Sequence, residues 1–223
     1  GISGRLLESW NLSPDKKRYT FTLKKGAKFH NGKECSAEDA IFSLNESLKN
    51  DGYFAVFLKA IKEIKPVNRY TFQIYLNKPY PFLLSLFAST PTAIVPLNFG
   101  NQTREEFEDN PVGTGGFKIK SRKDGALNLE RFSNYHNKLS NIQLTQFHFA
   151  KDSKEINSIL KRKEIQELNM IFPKYRKEIL PLLLEKKYEK FSYPSFSTVV
   201  IGMNQTLPIF QKIEMRRFLQ SLF

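Results

Sequence analysis

The run Tyr19-Thr20-Phe21-Thr22-Leu23 alternates aromatic or aliphatic positions with threonines. A period of two built from aromatic and β-branched side chains marks a strand with one face in a core and the other in water. Tyr70-Thr71-Phe72-Gln73-Ile74-Tyr75-Leu76 carries the same pattern more clearly, and Pro79 and Pro81 close it. Between them the period changes. Ser36 stands three residues before Asp39 and opens a segment, Ala37 to Leu48, in which Ala40, Ile41, Leu44 and Leu48 recur at helical spacing. Ser36 is the expected N-cap of that helix. Gly26 and the Asn31-Gly32 pair tolerate positive φ, so a short strand pair or β-arch is expected around Lys28 to Lys33. A second helix is expected over Tyr53 to Ile64. Phe82 to Ala88 reads as a buried helical turn, Ala93 to Pro96 as extended chain, and Asn98 to Asn110 as polar loop with a short helix.

The pattern shifts at Pro111-Val112-Gly113-Thr114-Gly115-Gly116, where clustered glycines allow backbone geometry that other residues resist. A subdomain boundary is placed there, giving an outer α+β part, 1–112, and a hinge-proximal α/β part, 113–223. Phe117 to Lys120 and Ala126 to Arg131, joined by a turn at Lys123-Asp124-Gly125, read as a hairpin. Strands are expected at Gln143 to Phe149 and Leu168 to Ile171. Between them a helix, Lys154 to Arg162, carries Ile156, Ile159 and Leu160 on one face. That βαβ-like unit implies parallel strands. A helix from Pro173 to about Lys187, a strand from Phe196 to Met203 and a helix beginning at Pro208 or Ile209 complete the reading.

Composition narrows the class. The 223 residues, 40% hydrophobic and 13% aromatic, are enough for one large or two modest globular domains. Thirty-five Lys and Arg against 22 Asp and Glu leave a net charge of +13, which raises anionic partners. The basic residues are spread along the chain, however, and the denser groups such as Lys16-Lys17-Arg18 lie beside acids or turns. Nucleic acid is therefore not expected as a partner. Cys35 is the only cysteine, so neither an intrachain disulfide nor a cysteine metal cluster can form. No apolar run reaches the length of a membrane span, and the first residues carry no export-signal pattern.

Catalytic candidates are poor. His30, His136 and His148 are scattered without metal-ligand spacing. Ser9 and Ser36 lack a histidine partner in a nucleophile motif, and Glu8, Asp39 and Glu130 make no acid-base pair. No cofactor is implied. In the turn at Gly113, Thr114 and Gly115, small residues could present backbone N–H groups to a ligand, or the turn could be a plain crossover between subdomains.

Several ordered phrases resemble family 5 extracellular solute-binding proteins, which bind peptides, nickel complexes and related solutes for ABC importers. They are Leu6-Leu7-Glu8-Ser9-Trp10, Tyr19 to Gly26 continuing through Lys28-Phe29-His30-Asn31-Gly32, and Ser36-Ala37-Glu38-Asp39-Ala40 with Phe42-Ser43-Leu44. They continue with Pro111 to Phe117, Leu129 to Tyr135, and Gly202-Met203-Asn204 with Pro208-Ile209-Phe210. Gly116 where the family often has proline, and His136 where tryptophan is common, depart from it.

The resemblance implies an α/β, mixed α+β fold of the type II periplasmic-binding-protein kind. The chain would form a partial first lobe with a mixed sheet and flanking helices. It implies a substrate-binding component that closes on its ligand by a hinge and hands it to a membrane permease. It implies a periplasmic or extracellular, membrane-anchored protein, with lipoprotein anchoring as one form, and no enzyme activity. It also places Tyr53 and Ser195, Phe196, Ser197 and Thr198 at the ligand cleft, with ordinary core or edge packing as the alternative for each. The acidic anchor for a peptide amine belongs to the second lobe, beyond this chain, so weak affinity is expected of this part alone. The alternative reading is a ligand-sensing domain of a transcriptional regulator with the same fold.

Overall fold

The first sheet is built by the two alternating segments recognised in the sequence and by two partners that the pattern does not announce. The computed structural model describes residues 4–49, 58–123, 125–162, 168, 177, 179, 181, 183, 206 and 208–220. Within these, β1 (Leu7–Leu12), β2 (Arg18–Leu23), β3 (Ile61–Asn68) and β4 (Thr71–Leu76) form an antiparallel sheet of order β1-β2-β4-β3. Tyr19 lies opposite Ile74 and Phe21 opposite Phe72, so the two alternations are in phase. A slip of one residue would turn both apolar rows outward. Tyr19, Phe21, Leu23, Phe72, Ile74 and Leu76 are all buried. The opposite face is polar, with Gln73 donating to the Thr20 hydroxyl at 3.2 Å.

Against the apolar face packs α1 (Ala37–Lys49), through Ala37, Ala40 and Leu44, followed in the chain by Leu58, also in this core. Glu38 and Asp39 in its first turn and Lys49 in its last suit the helix dipole. The cap at Ser36 works in reverse of the expected sense. The Ser36 hydroxyl donates to the Asp39 carboxylate at 2.7 Å, and the Ser36 backbone N–H donates to the same oxygen at 2.8 Å.

The Asn31-Gly32 turn supports only an isolated antiparallel bridge, Lys28 to Glu34, with Gly32 alone at positive φ. Of the helix expected over Tyr53 to Ile64, residues 50–57 lie outside the described residues, and from Ile61 onward the chain is strand β3. Hairpin pairing with β4, from Ile61 opposite Leu76 to Asn68 opposite Thr71, overrides the local preference, which is weak against tertiary context. Pro66 is accommodated because β3 is an edge strand, with ladder irregularities on both sides. Downstream come α2 (Leu83–Phe87), two short 3-10 turns and α3 (Arg104–Asp109), which is capped reciprocally by Thr103 and Glu106. Leu83 is buried, but Phe82 at the start of that segment is exposed.

The second sheet is antiparallel throughout: β5 (Phe117–Lys123), β6 (Ala126–Arg131) and β7 (Leu144–His148), in that order. Gly125 holds the hairpin turn at φ +71. The expected crossover is described only in part. Helix α4 (Ser153–Arg162) follows β7, with Ile159 and Leu160 buried, but every ladder among the described residues is antiparallel. Leu168 is in no strand, and residues 169–171 lie outside the described set.

Contacts divide the chain into two units, Gly1–Phe149 and Ala150–Phe223, and both sheets belong to the first. In the second unit, α4 is accompanied by helical residues at 177, 179, 181 and 183, with Ile179 buried, and by α5 (Pro208–Gln211) and α6 (Ile213–Gln220). Pro208 opens α5, where a missing N–H costs nothing. The strand expected at Phe196 to Met203 lies outside the described residues. No described helix is long and apolar enough to cross a membrane.

Candidate functional site

The glycine-rich turn is held by a histidine. The His30 backbone N–H donates to the Gly113 carbonyl at 2.9 Å, and the Gly113 N–H donates back to His30 Nδ1 at 3.3 Å. His30 Nε2 lies 3.0 Å from the Gly115 carbonyl. With one ring nitrogen facing a donor and the other an acceptor, the ring is the neutral Nε2–H tautomer. Burial pushes its pKa below the ordinary histidine value, Lys118 pushes the same way, and the bond to Gly115 only partly opposes them. The ring also meets Phe132 edge-on, with centroids 5.2 Å apart.

This changes the meaning of the three glycines. None of them takes a positive φ. A Cβ would meet His30 Cε1 at 3.8 Å from Gly113 and the Tyr135 ring at 3.4 Å from Gly116, both ordinary packing distances. The turn does not use the left-handed geometry that its glycines allow, and hydrogen bonds to His30 hold it. Thr114 is half-buried and Gly115 exposed, whereas the Gly113 N–H is already engaged.

A second constellation went unread in the sequence. Asp39, Ser43 and Ser47 stand four residues apart on α1 and bind the chain at 91–97 along its length. Asp39 accepts the Leu97 N–H at 2.8 Å, and Ser43 accepts the Val95 N–H at 2.8 Å. Ser47 donates to the Pro91 carbonyl at 2.7 Å. Asp39 is fully buried, and its carboxylate also takes the Lys33 ammonium at 3.1 Å. Burial alone would raise its pKa, but the Leu97 and Ser36 donors and Lys33 hold it below the usual carboxylate range. The legible signal was small polar residues at i, i+4 and i+8 on a helix otherwise facing a core. Its role is architectural.

Cys35 is buried as well, and desolvation pushes its thiol up to about 12, so it is no nucleophile. Among the described residues no group of three or more His, Cys, Asp or Glu side chains could hold a metal ion. A hollow of about 530 Å³ opens between the first sheet, α1 and α2, lined by Leu6, Trp10, Phe21, Leu44 and Phe87 among others. It has the size of a small-ligand pocket, and its lining among the described residues is mostly apolar, with Arg5 and Thr92 as the polar exceptions. Of the expected cleft residues, Tyr53, Ser195, Phe196, Ser197 and Thr198 lie outside the described residues, and only Gly113, Thr114 and Gly115 fall within them.

The fold is that of a type II periplasmic binding protein, seen as part of a lobe. The family model for bacterial extracellular solute-binding proteins, family 5 Middle, matches residues 1–220, and the chain belongs to that family.

The Dipeptide-binding protein of Escherichia coli K12 is 29% identical over 187 residues, 72% of this chain and 35% of that protein. The periplasmic binding protein DppA from Helicobacter pylori, solved in complex with the peptide STSA, superposes with a TM-score of 0.63 at 25% identity, covering 72% of this chain and 36% of that one. NikZ from Campylobacter jejuni, solved in complex with Ni(L-His), gives 0.62 at 26% identity over 72% of this chain and 33% of its own. The chain spans well under half the length of the curated relatives it matches. Family 5 proteins are transport binding proteins, not enzymes.

Proposed function

We propose that the chain is part of the substrate-binding component of an ABC importer that captures peptides or similar small solutes, with nickel complexes as a second ligand class. The observation that carries this is the family match over residues 1–220. A relative named for dipeptide binding and a solved neighbour holding a tetrapeptide favour peptides over metal complexes. The protein works outside the cytoplasmic membrane, tethered there by a lipid or other anchor, and delivers its ligand to a membrane permease. Tyr53, Gly113, Thr114, Gly115 and Ser195 to Thr198 line the inter-lobe cleft, with closure over the ligand as the signal that the permease reads.

The test is a titration of the full-length protein with dipeptides, longer peptides and Ni(L-His), followed by calorimetry and thermal shift. Saturation at a hundredfold the dissociation constant stabilises by about 2.7 kcal/mol. If no member of any of the three classes binds, the reading fails. Gly115→Ala probes the site within the same experiment. Its added methyl meets Phe117 and His30 at 3.8 and 4.0 Å, so the fold tolerates it. Unchanged stability with weakened affinity is the expected result, whereas unchanged affinity removes the turn from the cleft.

A further inference from the structure

We propose that the seam joining the two sheets is an acid-sensitive latch, closed by His30 and His136 in their neutral forms and loosened when either gains a proton. The seam lies within the first unit and the inference does not depend on which solute is carried. On one side stand Arg5, Lys24 and His30, from the first sheet and its arch. On the other stand the turn at Gly113 to Gly115 and the loop after β6 that carries His136 and Asn137.

Both histidines bridge it. His30 Nδ1 is aimed at a donor, the Gly113 N–H at 3.3 Å, so a second ring proton would set two N–H groups against each other. His136 Nε2 lies 3.1 Å from the Arg5 carbonyl, and its buried Nδ1 has no hydrogen-bond partner among the described residues. A proton there would become a buried cationic N–H without an acceptor. Beside it Asn137 donates to the same Arg5 carbonyl at 2.9 Å and accepts from the Lys24 ammonium, so His136 and Asn137 hold this corner of the seam together.

The surrounding charges act in the same sense. Against His30 the packed groups are the uncharged Phe132 and glycine turn, with Lys118 on β5 as the acting charge. Against His136 they are Tyr135, Arg5 and Lys24, with Lys24 the acting charge. Burial first, then these cations, hold both imidazoles below the ordinary histidine value, outweighing the carbonyl bonds. The sign follows. Between the unfolded value of about 6.5 and the lowered folded values, the open seam binds more protons than the closed one. Closure is fully favoured above that range and is lost as pH falls through the folded values.

The experiment uses the full-length protein with ¹³C-labelled histidine rings and their pH titration by NMR, with His30→Asn and His136→Asn assigning the two signals. Hydrogen exchange over residues 111–117 and 133–138 is followed in parallel from about pH 8 to about pH 5, corrected for intrinsic rates. Both rings are expected to titrate below an ordinary histidine. Protection of the two seam segments is expected to fall several-fold in step, while β4 keeps its own. Titration of both rings at or above the ordinary value, protection indifferent to pH, or loss shared equally by β4 would each overturn the latch. If an Asn variant does not fold, the wild-type titration and exchange decide alone.

Discussion

At the scale of single residues, Asp39 carries the sharpest prediction. It is fully buried, and its carboxylate serves two backbone N–H groups, a hydroxyl and an ammonium at once. Asp39→Ala strands those donors and is expected to cost about 3 kcal/mol, read as a lowered urea midpoint at unchanged m. Because its pKa is lowered in the folded state, its contribution is complete above the unfolded value near pH 4 and fades as pH falls through the folded one. Asp39→Asn should flatten that acid limb. The sequence placed Asp39 correctly at a helix start, but its reach to Leu97, 58 residues on, is a tertiary fact that no local pattern encodes. The same holds for His30, a scattered histidine in the sequence and the clasp of the glycine turn in the structure.

Among the elements, β2 and β4 were legible because alternation and burial agree, whereas β1 was not, since its half-buried residues recur every third position and not every second. Edge strands receive their conformation from a neighbour's hydrogen bonds more than from their own side chains. That is also why Ile61 to Ile64 reads as helix and folds as strand. Phe21 is the test of the central pair. It is fully buried and stacks with Tyr19 and Phe72 at 5.6 and 5.4 Å between ring centroids. Phe21→Ala should cost about 3 to 5 kcal/mol by denaturant unfolding. The β5–β6 hairpin supplies a contrast. Gly125 sits at φ +71 with nothing within 4 Å of an added Cβ, so Gly125→Ala carries the backbone penalty alone, about 1 to 2 kcal/mol by the same measurement.

For the molecule as a whole, the family match and the fold agree on the family of solute-binding proteins, and the ligand titration of the full-length protein is the measurement that belongs to this scale. A net charge of +13 raised the prospect of anionic partners. Several of those charges are engaged within the fold: Lys33 with Asp39, Arg69 with Glu34, Arg104 with Glu46 and Lys118 with Glu130. Apart from Lys33 with the buried Asp39, these are largely exposed pairs that contribute little stability, but all of them show basic residues interleaved with acids instead of gathered into one field.

The sequence by itself determined which segments could be strand or helix, where chains of small residues turn, and, through ordered phrases, the family. These are local or inherited properties, written in the periodicity and identity of neighbouring residues. Only the tertiary structure decided the antiparallel order of the two sheets, the strand at Ile61–Asn68, the binding of 91–97 by Asp39, Ser43 and Ser47, and the histidine seam. Each depends on partners far apart in the chain, whose hydrogen bonds form only once the intervening polypeptide has folded back.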